Sequence, residues 1–94
     1  MKNELVEGRL IYNIDNDRFC FAMGNKWLFD SWIFNGYHCG EAVEVKIDGA
    51  WLKTRFEKDI NNEWYLVGTN YKGKAIEGLP ARAEIDVTCL KEIR

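Results

Sequence analysis

The sequence predicts an all-β fold, a small antiparallel barrel of six to seven short strands. Apolar and polar residues alternate with a period of two in several segments, and no segment shows convincing helical spacing. Turn dipeptides separate these segments, and the chain contains one proline, Pro80. A chain of 94 residues has room for one core, so we expect a single domain over residues 1–94.

The first strands are predicted to form a meander between residues 8 and 29. Asp15-Asn16 and Gly24-Asn25 are turn dipeptides. If both are two-residue turns, one face of the meander carries Leu10, Tyr12, Phe19, Phe21 and Leu28. The other face then carries Cys20, Ala22, Trp27 and Phe29. Both faces of this meander are therefore expected to be apolar in part.

The clearest element is a hairpin in EAVEVKIDGAWLKTRFE, residues 41–57. Asp48-Gly49 is typical of a two-residue turn of the primed type, where glycine tolerates positive φ. The alternation of apolar and charged residues on both arms indicates a single register. That register pairs Val45 with Leu52 on the inner face, and Glu44 with Lys53 and Lys46 with Trp51 on the outer face. The two outer pairs, one of opposite charge and one cation–ring, favour the same register.

Two further strands follow. In EWYLVG, residues 63–68, the preceding loop allows two registers, with either Trp64 and Leu66 or Tyr65 and Val67 pointing inward. ARAEIDVTC, residues 81–89, alternates strictly, places Cys89 on the apolar face and begins after Pro80, which cannot donate to a strand ladder. Short sheets curl, and closing them removes exposed edges, so we expect the barrel to be SH3-like.

Charge and composition bear on location and partners. The net charge of −2 argues against nucleic-acid binding driven by bulk charge. No apolar run approaches the ~18 residues of a membrane span, and MKNELVEGRL lacks the apolar core of a secretion signal. We therefore expect a cytoplasmic location, reduced cysteines and no membrane partner.

Four segments together resemble a known family. They are Gly8-Arg9-Leu10-Ile11-Tyr12, which fits a G-x-L-x-Y strand, then HCGEAVEVKIDGAWLKTRFE, EWYLVG and GLPARAEI. This pattern is similar to a small family of uncharacterised bacterial domains, domain of unknown function number fifty-three forty-eight. The resemblance implies a compact all-β unit, no known activity, and a setting on mobile elements and prophages of Gram-positive bacteria. This chain departs from the family pattern in FDSWIFNGY, which is longer and more aromatic, and in the terminal KEIR.

The residues that most invite a catalytic or metal interpretation are Cys20, Cys39, Cys89 and His38. Structural zinc sites usually take ligands from pairs two to four residues apart, whereas these cysteines are spaced by 19 and 50. In an extended strand the neighbours His38 and Cys39 point to opposite faces, which argues against a cysteine–histidine nucleophile. We therefore predict no metal, no cofactor and no enzymatic activity.

The candidate binding residues fall into two groups and one further residue. Trp51, Lys53 and Arg55 share the outer face of the hairpin, and tryptophan and arginine are enriched at binding hot spots. The alternative is that Trp51 covers the barrel mouth and Arg55 pairs locally with Glu57. Trp32, Phe34, Tyr37 and His38 form a contact segment with more ring surface than a small barrel buries. Trp64 is the remaining candidate, since one of Trp64 and Tyr65 faces outward.

The favoured hypothesis is a non-catalytic binding protein, encoded by a phage or mobile element, that acts on a host component in an anti-defence role. The target would be a defence protein or a small nucleotide ligand held by aromatic and arginine side chains. One alternative is a small barrel that binds RNA or single-stranded nucleic acid through Lys26, Lys46, Lys53 and Arg55. Another is a structural subunit that forms a homodimer or larger homo-oligomer.

Overall fold

The computed structural model describes residues 3–23, 26–27, 36–86 and 91–92. These residues form eight β-strands, which are β1 (Asn3–Asn13), β2 (Arg18–Met23), β3 (Lys26–Trp27), β4 (Ala42–Ile47), β5 (Ala50–Lys58), β6 (Trp64–Leu66), β7 (Pro80–Asp86) and β8 (Lys91–Glu92). A short 3₁₀ helix at Gly73–Ile76 is the only helical element in these ranges. The described residues therefore contain no helix long and apolar enough to cross a membrane. The predicted all-β class is therefore confirmed, with six strands of three or more residues.

All eight strands belong to one antiparallel sheet in the order β6-β5-β4-β7-β1-β2-β3-β8. The centre of the sheet is the long pair of β1 and β7, which runs from Asn3 opposite Asp86 to Arg9 opposite Pro80. Pro80 thus begins β7 as predicted. Because β7 also pairs with β4, the chain's last long strand joins the first meander to the central hairpin.

The predicted closed barrel is wrong, because the described part of the sheet is open, with β6 at one end and β8 at the other. Residues 36–41 instead connect β2 to β5 across the open side. The Tyr37 amide donates to the Phe19 carbonyl at 2.8 Å, and the Gly40 amide donates to the Phe56 carbonyl at 2.7 Å. The Phe56 amide in turn donates to the Glu41 carbonyl at 3.0 Å. A connecting segment therefore satisfies backbone groups that strand pairing satisfies in a closed barrel.

The core lies on the inner face of the curled sheet, and Phe56 is at its centre. This ring is fully buried and lies 5.8 Å from the Phe19 ring and 4.8 Å from the Tyr37 ring, stacked on both. The Trp64 ring meets Phe56 edge-on at 5.9 Å. Since β1, β7 and β4 separate β2 from β5 in the sheet, the contact of Phe19 with Phe56 shows how strongly the sheet curls.

The local registers agree with the sequence patterns. Every predicted pair of the β4–β5 hairpin is present, and the turn residues Asp48 and Gly49 have φ of 52° and 82°. In the meander, Leu10 lies opposite Phe21 and Ala22 opposite Trp27, as the two turn dipeptides predict. Both Cys20 and Ala22 on the second face of β2 are fully buried, so β2 has two dry faces.

The register of β6 is now determined. Lys58 lies opposite Trp64 and Phe56 opposite Leu66, so Trp64 and Leu66 point inward while Tyr65 is half-buried. The loop before β6 explains this choice, because the Asp59 carboxylate accepts hydrogen bonds from the amides of Asn61 and Glu63 at 2.8 and 3.0 Å. Asn62 adopts a φ of 64° in this loop, which asparagine tolerates better than most residues.

Candidate functional site

The predicted binding residues do not form one site. Trp32 and Phe34 lie outside the described residues. Tyr37 and Trp64 belong to the core, with 4% and 6% of their surface exposed, so neither presents a whole ring to a partner. His38 is exposed in a turn. Trp51, Lys53 and Arg55 do share the outer face of the sheet on β5.

The expectation that His38 and Cys39 point to opposite faces of a strand is wrong, because the chain turns there. The Glu41 amide donates to the His38 carbonyl at 3.1 Å, and the His38 amide donates to the Glu41 carboxylate at 2.6 Å. Both side chains are exposed and border a shallow depression of about 470 Å³. Within the described ranges, no three His, Cys, Asp or Glu side chains are grouped as metal ligands.

The two described cysteines differ in their surroundings. Cys39 is exposed, whereas Cys20 is buried in β2. Burial raises the pKa of the Cys20 thiol to about 11, which keeps it protonated and unreactive at neutral pH. Cys89, the third cysteine, lies outside the described residues. The thiol of Cys20 is therefore not a candidate nucleophile.

Trp51 lies on the outer face in contact with two cationic side chains. The Lys46 ammonium is 5.8 Å from the Trp51 ring centroid, as the hairpin register predicts. The Arg82 guanidinium, on the neighbouring strand β7, is closer at 4.4 Å. Arg82 is itself held by Glu44, whose Oε2 accepts hydrogen bonds from Nη2 at 3.0 Å and from Nε at 3.3 Å. The tryptophan ring is thus positioned by a chain of contacts across three strands.

Sequence reasoning missed Arg82 as a member of this cluster. The alternation of ARAEIDVTC does place Arg82 on the polar face of its strand, which is the only signal that the sequence contains. The contact with Trp51 depends on β7 lying beside β4, a pairing between segments far apart in the chain. Local patterns do not predict which distant strands become neighbours.

Lys53 and Arg55 extend the cluster along β5. Arg55 makes the local ion pair with Glu57 that the sequence analysis considered, with Nε 3.2 Å from Oε2, yet its side chain is still 55% exposed. Lys53 is exposed and lies opposite Glu44 in the register. We call the outward side chains Trp51, Lys46, Arg82, Lys53 and Arg55 the Trp51 face.

A second cluster closes the open side of the sheet around Asp17. Its carboxylate accepts hydrogen bonds from the Tyr12 hydroxyl and from the Lys58 ammonium, the latter at 2.7 Å. Its backbone carbonyl accepts the Trp64 indole N–H at 2.9 Å. Lys58 also lies 4.9 Å from the Trp64 ring centroid. These contacts connect the β1–β2 turn to β5 and β6 where no strand pairing does so in the described sheet.

Replacing Asp17 by asparagine is expected to lower the free energy of unfolding by about 1 kcal/mol at neutral pH, because Lys58 loses its charged partner. The Lys58 hydrogen bond, followed by that from Tyr12, holds the pKa of Asp17 below its ordinary value of 3.8. A depressed folded-state pKa stabilises the fold above the ordinary value, and this stabilisation is lost as pH falls through the depressed value. Urea unfolding of both proteins from neutral to acid pH should therefore show the difference shrinking. A difference that is unchanged in acid would contradict this account. Asparagine tolerates the φ of 54° at this position, so strain is not introduced.

Beside the Asp17 cluster lies a cleft of about 600 Å³. Its lining residues are Tyr12, Asp17, Phe19, Asn62, Glu63, Trp64, Gly73, Lys74 and Glu77. The rings supply the floor, and three carboxylates and one ammonium supply the charges. Glu77 is held in place because its carboxylate accepts the Tyr12 amide N–H. Sequence analysis singled out only Trp64 here, because the lining comes from four separate segments of the chain.

The structure defines a small all-β domain, a single curled antiparallel sheet with an aromatic–cation cluster on its outer face. The chain belongs to the family described as Domain of unknown function (DUF5348), whose family model matches residues 8–83. The predicted family resemblance is therefore confirmed.

Among solved structures, the chain is similar to a crystal structure of a protein from Ruminococcus gnavus determined by a structural genomics consortium. The two sequences are 32% identical, the TM-score is 0.62, and the match covers 83% of this chain and 100% of that chain. No curated protein matches the sequence. The comparisons thus support the family and the all-β fold.

Proposed function

We propose that this domain is a non-catalytic binding protein whose Trp51 face binds a partner protein. One observation carries the proposal: Trp51 lies on the outside of the sheet, held by Lys46 and Arg82, and is not part of the hydrophobic core. Trp51 is half-buried there, so part of a large and ordered apolar ring faces solvent, where a partner can cover it.

The composition of the face supports a protein partner. Tryptophan and arginine dominate binding hot spots, and a ring that is already ordered loses little conformational entropy on binding. Glu44 orders Arg82 in the same way. Around this centre, Lys53 and Arg55 are exposed and would form a polar rim.

The shape of the face favours a protein over a nucleotide signal. The sheet curls around Phe56 and the other inner side chains, so Trp51 lies on the outside of the curl. Lys53 and Arg82 border a depression of about 470 Å³, but Trp51 is not part of its lining. Small molecules are usually bound in concave sites that surround most of their surface. The family's setting on mobile elements and prophages is an expectation from the resemblance, and it suggests a cytoplasmic host component such as a defence protein. The proposal includes an SH3-like order of the strands within the open, curled sheet.

The test is capture of partners from a lysate of a Gram-positive host on the immobilised protein, followed by titration with the purified candidate. Trp51→Ala is expected to raise the dissociation constant by about thirtyfold, which corresponds to a loss of about 2 kcal/mol of binding free energy, as for a hot-spot residue. Leu52→Ala is the matched control, because Leu52 lies next to Trp51 in β5 but on the opposite face of the sheet, where 40% of its surface is exposed. Equal binding by both variants would contradict the proposal.

Parallel measurements on the same variants distinguish the alternative functions. Oligonucleotide binding that depends on Trp51 and weakens with salt would replace the protein partner by single-stranded nucleic acid. A thermal shift with a nucleotide would replace it by a small ligand. A homodimer in light scattering that Trp51→Ala converts to monomer would identify the partner as a second copy. Background binding in every assay would remove the proposal.

A further inference from the structure

Part of strand β5 has a neighbouring strand on one side only. On that side β5 pairs with β4 from Ala50 to Arg55. On the other side β6 pairs with β5 only from Phe56 to Lys58, and the Val67 amide adds one more hydrogen bond, to the Arg55 carbonyl at 3.2 Å. Within the described residues, the edge of β5 that precedes Arg55 therefore has no strand beside it. We call this stretch the open edge of β5.

The alternation of the backbone decides which groups face the open edge. The Phe56 amide and carbonyl bond to the 36–41 segment, on the β4 side, whereas the Arg55 carbonyl bonds on the β6 side. Backbone groups of successive residues in a strand point to opposite neighbours, so Trp51 and Lys53 direct theirs the same way as Arg55. No hydrogen bond from the described residues reaches the N–H and C=O groups of Trp51 and Lys53. Four ladder groups in strand spacing therefore face solvent.

The β6 ladder stops at this point because the chain turns away. Gly68 has a φ of 77°, a left-handed conformation that ends the extended chain. The Val67 carbonyl, the next acceptor in line, is taken by the Thr54 hydroxyl at 2.6 Å. The returning chain then pairs with the far side of β6, where the Leu66 amide donates to the Tyr71 carbonyl at 3.0 Å. The fold thus covers the end strand β6 and leaves the open edge of β5 uncovered.

The open edge borders the Trp51 face. Trp51 and Lys53 direct backbone groups to the edge and side chains to that face. A second copy of this chain is a poor occupant, because an antiparallel pairing of the same residues would put Lys53 opposite its own counterpart. Like charges directly opposite each other are destabilising, and lysines on edge strands commonly prevent self-association in this way. A strand from a different protein meets no such repulsion.

We propose that the partner contributes an extended segment that adds to the open edge of β5 as a further strand, an inference that rests on the proposed function. The main chain of the segment would bond to the free groups of Trp51 and Lys53. An apolar or aromatic side chain of the segment would lie beside Trp51 on the outer face. Ladder groups in strand spacing are complementary to an extended backbone, so they favour a strand over a helix. In strand addition, main-chain bonds give affinity and neighbouring side chains give specificity.

The test selects linear peptides from a random library displayed on phage, with the wild-type protein as bait, and measures the dissociation constant of a selected synthetic peptide. Trp51→Ala should raise it by about thirtyfold. Lys53→Pro removes the edge N–H, so it should raise the constant at least about tenfold. Proline is tolerated in a strand where its nitrogen faces solvent, so the β4–β5 ladder should remain. Lys53→Ala, which keeps the N–H, is the matched control and should change the constant by less than about threefold.

Two further measurements are independent of the stability of the variants. In the wild-type protein without peptide, the amides of Trp51 and Lys53 should exchange with solvent faster than those of Leu52 and Thr54, which face β4. The peptide should slow the exchange of the first pair. N-methylation of the peptide at alternate residues should abolish binding, whereas N-methylation at the intervening residues should not, because only every second amide of an added strand faces β5.

The outcomes separate the strand addition from the Trp51 face itself. Equal affinity for Lys53→Pro and Lys53→Ala, slow exchange of the Trp51 and Lys53 amides without peptide, or no alternation in the N-methyl series would each overturn the strand addition. If the selected peptides still depended on Trp51, the Trp51 face would stand without it. If no selected peptide depended on Trp51, both proposals would fail. A dimer in light scattering that Lys53→Pro dissociates would assign the open edge to a second copy and overturn the partner strand.

Discussion

Replacing Phe56 by alanine is expected to lower the free energy of unfolding by about 3–5 kcal/mol, as for other fully buried rings. Three rings lose their partner at once, because Phe56 is in contact with Phe19, Tyr37 and Trp64. These neighbours come from β2, the 36–41 segment and β6, so the cavity would open where three separate parts of the chain meet. A site of this kind collapses poorly, which places the expected loss in the upper part of the range.

This loss is a large fraction of the free energy of unfolding of the whole domain. A domain of this size is expected to be stable by only about 5–14 kcal/mol, so Phe56→Ala should lower the melting temperature by roughly 4–8 °C for each kcal/mol. Urea unfolding followed by tryptophan fluorescence measures the free energy directly. Phe56→Leu, which keeps much of the volume, should lose clearly less, and Ile60→Ala, at a fully exposed position, should be neutral.

The same substitution tests how the open side of the sheet is held. The backbone amides of Tyr37 and Gly40 donate to Phe19 and Phe56, and the stacked rings keep these segments together. In Phe56→Ala both amides should exchange with solvent faster than those of the β4–β5 hairpin, which has its own ladder. Uniform acceleration in all strands would mean that the 36–41 segment opens only with the whole domain.

The hairpin of β4 and β5 was predictable because all of its information is local. Asp48-Gly49 determines the turn, and a period of two on each arm then leaves one register, which pairs Val45 with Leu52. The prediction that both side chains point inward holds for Val45, which is fully buried, and is wrong for Leu52, which is 40% exposed near the end of the hairpin. The same reasoning succeeded for the described part of the meander, whereas the predicted Gly24-Asn25 turn and the positions of Leu28 and Phe29 lie outside the described residues. Local reasoning left two registers open for β6. A two-residue turn determines which residues of the next strand point inward, whereas a five-residue loop does not.

The closure of the sheet and the partner of Trp51 were beyond local reasoning. Alternation assigns Arg82 to a polar face, but only the pairing of β7 with β4 brings it to Trp51. Likewise, Tyr37 was expected to be exposed, because the aromatic rings of its segment are more than the interior of a small closed barrel can bury. In the open sheet the 36–41 segment itself forms part of the core wall, so Tyr37 is enclosed. The sequence thus predicted the residues of the Trp51 face that lie on β5 and missed Arg82 on β7.

Gly8→Ala is expected to destabilise the domain by about 1–3 kcal/mol or more, through overpacking. A Cβ built at Gly8 would lie 2.1 Å from the Ala22 carbonyl oxygen and 2.9 Å from the Phe21 ring. The first neighbour is backbone of β2 and the second is fully buried, so neither can move away cheaply. Elsewhere in a strand, alanine in place of glycine usually stabilises, since it restricts the unfolded chain by about 0.4–1 kcal/mol. The close approach of β1 and β2 reverses the sign.

Glu7→Ala is the control for Gly8→Ala, because Glu7 is the preceding residue of the same strand and is exposed on the outer face. It should change the free energy of unfolding by no more than about 0.5 kcal/mol. If Gly8→Ala were as stable as the wild type, the spacing of β1 and β2 would have to be wider than the structure shows. A large loss of free energy of unfolding would instead explain why a glycine stands at the first position of the G-x-L-x-Y strand. Leu10 and Tyr12 of that strand face the core and the cleft, and they hold those positions only if β2 lies this close.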